Sequence, residues 1–164
     1  MAIVFESKVL VRFPDCDPFR HLNNARYLDY FMNAREDHLK QNMGFDVYAS
    51  AKEQGLGWVV SGHQIAYLNP AVLMETVIID SSLLEFRERD ALVEMRMWDE
   101  PKKVLKALLW SRFALIDLNT GKSVPHSPEL RARFAPVESR LAEPDTSFER
   151  RLAALRPRTV TGSR

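Results

Sequence analysis

Cysteine, glycine and long apolar runs are what this chain has least of, and each shortage closes off a class of protein. A single thiol, Cys16, cannot build an internal disulfide framework and fits a reducing compartment, so a cytoplasmic location is expected. The histidines, His21, His38, His63 and His126, include no close helical pair and one cysteine cannot complete a structural zinc site, so no metal is expected. The six glycines form neither GxGxxG nor GxxxxGK[ST], which removes dinucleotide and nucleoside triphosphate sites and leaves no cofactor expected. Ser61-Gly62 lacks the GxSxG elbow that exposes a serine nucleophile. No stretch approaches the ~18 consecutive apolar residues of a membrane span, and residues 1–8 include Glu6 without an apolar core, so neither a membrane anchor nor a signal peptide is expected. Net charge is also scarce: 23 Lys and Arg stand against 22 Asp and Glu, a balance of +1 that gives no basic excess for nucleic acid.

What is present points to one core. The chain has 164 residues, 46% of them hydrophobic, close to the typical domain of roughly 100–150 residues. The first strand is expected over residues 2–13, closed by Pro14, which cannot donate to a ladder. Residues 24–42 contain no Gly or Pro, and Leu28, Phe31, Ala34, Arg35, His38 and Leu39 recur at helical spacing. This predicts a long helix capped by Asn23 or Asn24 and stopped at Gly44. From residue 58 the period switches to two, with extended runs over 58–68, 75–86, 91–98 and 104–117. The polar connections at 87–90 and 99–103 are short enough for antiparallel hairpins. Ser127-Pro128 starts a further helix. The fold class is α+β, with one long helix covering an antiparallel sheet that a second subunit would complete.

The chemistry concentrates at residues 13–27, Phe-Pro-Asp-Cys-Asp-Pro-Phe-Arg-His-Leu-Asn-Asn-Ala-Arg-Tyr. Pro18 biases Asp17 toward extended backbone. Asp15 and Asp17 are close enough in sequence for like-charge coupling, which raises the pKa of one of them. The helix start adds unpaired N–H groups and partial positive charge, suited to a developing oxyanion. A plainer reading stands beside this one, in which Asp15, Asn23 and Asn24 only build a turn and a cap and His21 is a surface side chain. Cys16 is read as structural, because two flanking carboxylates disfavour its thiolate.

The run Asp15 to Leu28, followed by Tyr30-Phe31 and Ala34-Arg35, resembles the signature of hotdog-fold acyl-CoA thioesterases of the 4-hydroxybenzoyl-CoA thioesterase type. Residues 65–71 resemble the strand and turn that follow the helix in that family, and Thr120-Gly121-Lys122 the turn after its last strand. The resemblance spans roughly residues 5–134. It implies a long central helix wrapped by an antiparallel sheet, assembled as homodimers or homotetramers, acting on an acyl-CoA. It also implies that Asp17, the aspartate before the proline, is general base or nucleophile, with an oxyanion site near Asn23 and Asn24. In related acyl-ACP thioesterases a histidine and two asparagines stand as His21, Asn23 and Asn24 do here, which adds His21 and Asn24 to the catalytic candidates. Two positions depart from the pattern. Arg20 replaces a glycine common before the histidine, and Phe19 stands where acyl-ACP thioesterases carry an extra asparagine.

The remaining candidates concern binding. Arg20, Arg26 and the arginines of the tail are candidates for holding CoA phosphates. Outside residues 139–164 the chain has 17 basic and 19 acidic residues, so cationic charge must be gathered locally. His63 and Gln64 alternate on a strand, and His63 is carried as a possible acyl-pocket contact beside the reading of an ordinary strand position. Arg35 is expected to make a structural ion pair or hydrogen bond. The domain is expected over 1–136, with 137–164 a basic tail, solvated or partly disordered in preference to a short helix built on Phe148, Leu152 and Leu155. Two other functions remain open on sequence: a noncatalytic acyl-thioester-binding module, and a hydratase or dehydratase of acyl thioesters on the same fold.

Overall fold

A computed structural model describes residues 3–142 and 146–156 of the chain. Strand β1 (Phe5–Leu10) leads to a 3-10 turn at Phe13–Asp15. Helix α1 (Asn24–Met43) and the short helix α2 (Val47–Gln54) follow. Strands β2 (Leu56–Tyr67), β3 (Thr76–Phe86), β4 (Asp90–Asp99) and β5 (Leu105–Asp117) come next, then helices α3 (Pro128–Phe134) and α4 (Phe148–Leu155). The strands form one antiparallel sheet in the order β1-β3-β4-β5-β2, leaving β1 and β2 at its edges.

Local chemistry explains the limits of the helices. The Asn23 side chain accepts the Ala25 N–H at the start of α1, so Asn23 rather than Asn24 is the cap, and the helix ends at Gly44 with φ +57°. Helix α2 has no counterpart in the sequence reading, although Asp46, which accepts from the N–H groups of Tyr48 and Ala49, and left-handed Gly55 are its start and stop signals. Strand β1 is shorter than the expected 2–13 because the chain leaves the ladder for the 3-10 turn that Pro14 favours. Residue 2 of that expectation lies outside the described residues.

Alternation divides the sheet's side chains between two faces. On the inner face Val77, Ile79, Val93, Met95, Met97, Ala107, Leu109 and Phe113 pack with Tyr27, Tyr30, Phe31 and Ala34 of α1. Phe31 is wholly buried, which is worth about 1.5–3 kcal/mol of transfer free energy for a side chain of this kind. The outer face corrects the picture of a single covering helix above a solvated tail. Residues 148–155 are helical, Phe148 sits edge-on to Trp110, and Leu141, Leu152 and Leu155 cover Leu84, Leu92 and Leu108. Arg151 donates two hydrogen bonds, both 2.9 Å, to buried Glu94. The cause lies in β4, whose outward side carries Leu92, Glu94 and Arg96: this half-apolar face gains more from an amphipathic cover than from water. The expected tail residues 143–145 and 157–164 lie outside the described residues. Among the described residues no helix is long and apolar enough to cross a membrane.

Candidate active site

The segment before α1 folds into a miniature hairpin. Cys16 and Leu22 form an isolated antiparallel bridge, the Asp17 N–H donates to His21 O (2.8 Å) and the Arg20 N–H to Asp17 O (3.0 Å). The three-residue loop Pro18-Phe19-Arg20 thus ends on a left-handed residue, the usual solution for a hairpin of this length. Here lies the physical content of the first sequence departure: Arg20, at φ +64°, occupies the backbone conformation that glycine adopts freely. The returning strand is held on its other side by residues 71–73, through Leu22 N–H to Ala71 O (2.8 Å) and Leu73 N–H to Arg20 O (2.9 Å).

Asp17 is anchored through one oxygen. Its Oδ1 accepts from the N–H groups of Phe19 (2.9 Å) and His21 (3.0 Å), and no donor among the described residues engages Oδ2. Asp15, in contrast, accepts from the Tyr30 hydroxyl (2.9 Å) and lies 3.8 Å from the Arg26 guanidinium. The two acids therefore have separate partners rather than the shared environment that coupling was expected to create. Burial and then the flanking carboxylates push the Cys16 thiol up, against an opposing pull from Arg20, so this sulfur is a poor nucleophile.

At the start of α1 the Asn23 N–H donates to Asp15 O (2.9 Å) and its side chain takes the Ala25 N–H (3.0 Å). Among the described residues no acceptor engages the N–H of Asn24, so a donor at the positive end of a 20-residue helix stands open. The Asn24 carbonyl is fixed instead, by the Tyr67 hydroxyl at 2.9 Å. Tyr27 accepts the Ala71 N–H (3.0 Å) and Tyr30 the Arg12 N–H (3.3 Å), so three tyrosines lock the hairpin and the helix start to the sheet. Sequence alone gives these tyrosines no role, because a Tyr on an apolar stripe reads as core.

The structure brings Asp17, Arg20, His21, Asn23 and Asn24 together at one hairpin–helix junction. Arg26, one helical turn along, is committed to Asp29 (2.9 Å) and Asp15, which together raise its pKa. Of the described tail arginines, Arg140 is paired with Glu138 and Arg151 with Glu94, so these two have structural partners within the chain. His63 lies apart on β2, with Nδ1 2.8 Å from the Ser111 hydroxyl and its pKa lowered by burial; its register with Ser111 turns it toward α1, whereas Gln64 points to the outer face with Trp110. Arg35 makes no structural ion pair among the described residues and lies 3.9 Å over the Phe113 ring. Taken together, the junction offers an anchored carboxylate with a free oxygen, an imidazole and an open helix-start N–H. Those are parts for attack on, and stabilisation of charge at, a carbonyl.

Known proteins share this architecture. A long-chain acyl-CoA thioesterase of Escherichia coli, FadM, is 30% identical over 129 residues, covering 79% of this chain and 96% of its own. The acyl-CoA thioesterase YbgC of Haemophilus influenzae is 28% identical over 130 residues, covering 79% of this chain and 93% of its own. Among solved structures, the E. coli probable thioesterase YbaW superposes with a TM-score of 0.71 at 28% identity, covering 82% of this chain and 99% of that one. A DHNA-CoA thioesterase of Staphylococcus aureus reaches 0.74 at 18% identity, covering 82% and 90%, and so shares the fold. The family described as the thioesterase-like superfamily matches residues 11–134, a span that holds the hairpin, α1 and all of the sheet except β1. The chain belongs to the thioesterase-like superfamily and has its hotdog fold.

Proposed function

We propose that the protein hydrolyses the thioester of an acyl-CoA to the free acid and CoA, using Asp17. The observation that carries this reading is the Asp17 carboxylate, held through Oδ1 by two backbone N–H groups while Oδ2 is left open beside the start of α1. In this scheme the thioester carbonyl oxygen lies against the Asn24 N–H, and Asp17 either takes a proton from the attacking water or attacks the carbonyl carbon itself. The tetrahedral oxyanion collapses with cleavage of the carbon–sulfur bond, and the thiolate leaves as CoA. In the nucleophilic branch a water then hydrolyses the mixed anhydride and restores the carboxylate. His21 and Asn24 complete the catalytic set, with Asn23 holding the helix start that receives the substrate. Arg20, exposed on the hairpin and unpaired among the described residues, is the candidate for a CoA phosphate. His63 is the candidate that lines the acyl group.

A homodimer fits the edge of the sheet. Strand β2 is 12 residues long and exposed through most of its middle, and edges of this length are ordinarily covered by another strand. A cytoplasmic location fits the lone, inert thiol. The test is a panel of aliphatic and aromatic acyl-CoAs in which release of free thiol is followed with purified protein. Turnover of at least one member at a rate proportional to enzyme supports the reading, whereas binding of acyl-CoAs without thiol release from any of them contradicts it.

A further inference from the structure

We propose that Arg35 reads the far end of the acyl group, so that the enzyme prefers acyl-CoAs whose chain carries a hydrogen-bond-accepting oxygen, a hydroxyl or carboxylate, at its distal end. This rests on the thioester-hydrolase reading above and adds the substrate class.

The flank of α1 that faces β2 carries Asn24, Leu28, Met32 and Arg35, spaced so that they lie along one side of the helix. Strand β2 runs the opposite way beside it, with Tyr67 bonded to Asn24 and its other end, Trp58 and Val60, lining the same groove as Met32 and Arg35. This groove is open to solvent, and Phe113 forms part of its apolar wall. From Asn24 to Arg35 is three turns of helix, roughly 16 Å along the axis at 1.5 Å per residue, the reach of an extended acyl chain whose carbonyl is held at the helix start.

At that distance stands a cation with no hydrogen-bonded or ion-paired partner among the described residues, the Arg35 guanidinium, which lies over the Phe113 ring. Burial pulls its pKa down to about 10, so it is still charged at neutral pH. The carboxylate nearest to it in sequence, Glu36, also lines the groove but is bonded to the Tyr48 hydroxyl (2.6 Å) at its rim. The contrast with Arg96 and Arg151, each joined to a buried carboxylate, shows that this chain pairs its half-buried arginines where no ligand is expected. A guanidinium left with five N–H donors in an apolar groove discriminates strongly between a chain end that accepts a hydrogen bond and one that does not.

The experiment measures kcat/KM on the full chain for saturated acyl-CoAs from octanoyl to hexadecanoyl and for their ω-hydroxy and ω-carboxy counterparts, with wild type, Arg35→Met and Arg35→Lys. The expected result is a preference of roughly tenfold or more for an ω-oxygenated substrate over its methyl-ended partner at one or more lengths, lost in Arg35→Met and kept in part by Arg35→Lys. Equal kcat/KM for each pair at every length in wild type overturns the proposal, and that result needs no folded variant. So does an Arg35→Met enzyme with unchanged preference. If Arg35→Met instead splits the oligomer while wild type shows no preference, the guanidinium serves a subunit contact and the proposal falls. Failure to hydrolyse any substrate counts against the thioester-hydrolase reading itself, so the two failures are distinct.

Discussion

The two faces of the sheet use the same side-chain types to opposite ends. On the outer face every buried carboxylate is gripped: Asp80 accepts from Arg96 (2.7 and 3.2 Å) and from the Trp98 indole (3.1 Å), and Glu94 accepts from Arg151 twice and from the Trp110 indole (2.9 Å). On the side of α1, Arg35 stacks on a ring without an acceptor, Asp17 keeps one oxygen open, and the Asn24 N–H has no acceptor among the described residues. Satisfied groups fix a fold, and open ones are available to a ligand. The difference separates the face that holds α4 in place from the flank proposed to receive substrate.

The outer face yields the largest effect on stability. Glu94→Ala strands the Arg151 guanidinium and the Trp110 N–H beneath α4, and loss of one partner of a buried pair costs about 3 kcal/mol. Denaturant unfolding is the check, with hydrolysis retained at temperatures where the variant is folded; an unchanged midpoint breaks the contrast between the faces. A smaller effect comes from pH. His38 is buried with its ring nitrogens 2.7 and 3.0 Å from the Ser81 and Ser7 hydroxyls, and burial lowers its pKa from the ordinary 6.5. The unfolded chain therefore binds this proton more readily than the folded one. Its contribution to stability is fully present above pH 6.5 and is lost as pH falls from there through the lower folded value. Thermal melting followed from neutral pH downward shows this decline, and His38→Gln flattens the part of it that belongs to this residue. The smallest effect is at the junction: Arg20→Gly relieves the left-handed backbone and raises stability by about 0.5–1 kcal/mol. The same variant raises KM for acyl-CoA if Arg20 meets a phosphate, which sets a gain in stability against a loss in binding at one residue.

Much of the fold is legible in the sequence because its signals are local and repeated. The 3.6-residue stripe of α1, the two-residue alternation of β3 to β5 and the Asn23 and Gly44 stops all act within a few residues of themselves. Helix α2 is lost between them, since eight residues carry too little periodicity to stand out from a loop. Helix α4 is misread for a different reason: six arginines in residues 139–164 suggest solvation, and only the fold reveals that Glu94, 57 positions away, is the counter-charge that buries one of them. At the site, Asp17, His21, Asn23 and Asn24 are neighbours in sequence and are found by motif. The three tyrosines stand within the matched stretches, but their anchoring role is not legible there, because Tyr67 reaches Asn24 across 43 positions that no local pattern joins. Arg35 shows the opposite limit: a structural ion pair or hydrogen bond is expected of it, and among the described residues its guanidinium has neither and lies over the Phe113 ring.

In the proposed mechanism the open oxygen of Asp17 performs the chemistry while the rest of the hairpin holds it in place. The most direct measurement is the single-turnover rate of acyl-CoA hydrolysis by Asp17→Asn, compared with wild type at matched melting temperature and oligomeric state. The amide keeps an oxygen to accept the Phe19 and His21 N–H groups but loses the basic, nucleophilic carboxylate, so the account predicts a fall on the order of 10²–10⁴-fold with the fold intact. A folded Asp17→Asn protein that hydrolyses the same substrate at the wild-type rate would contradict it.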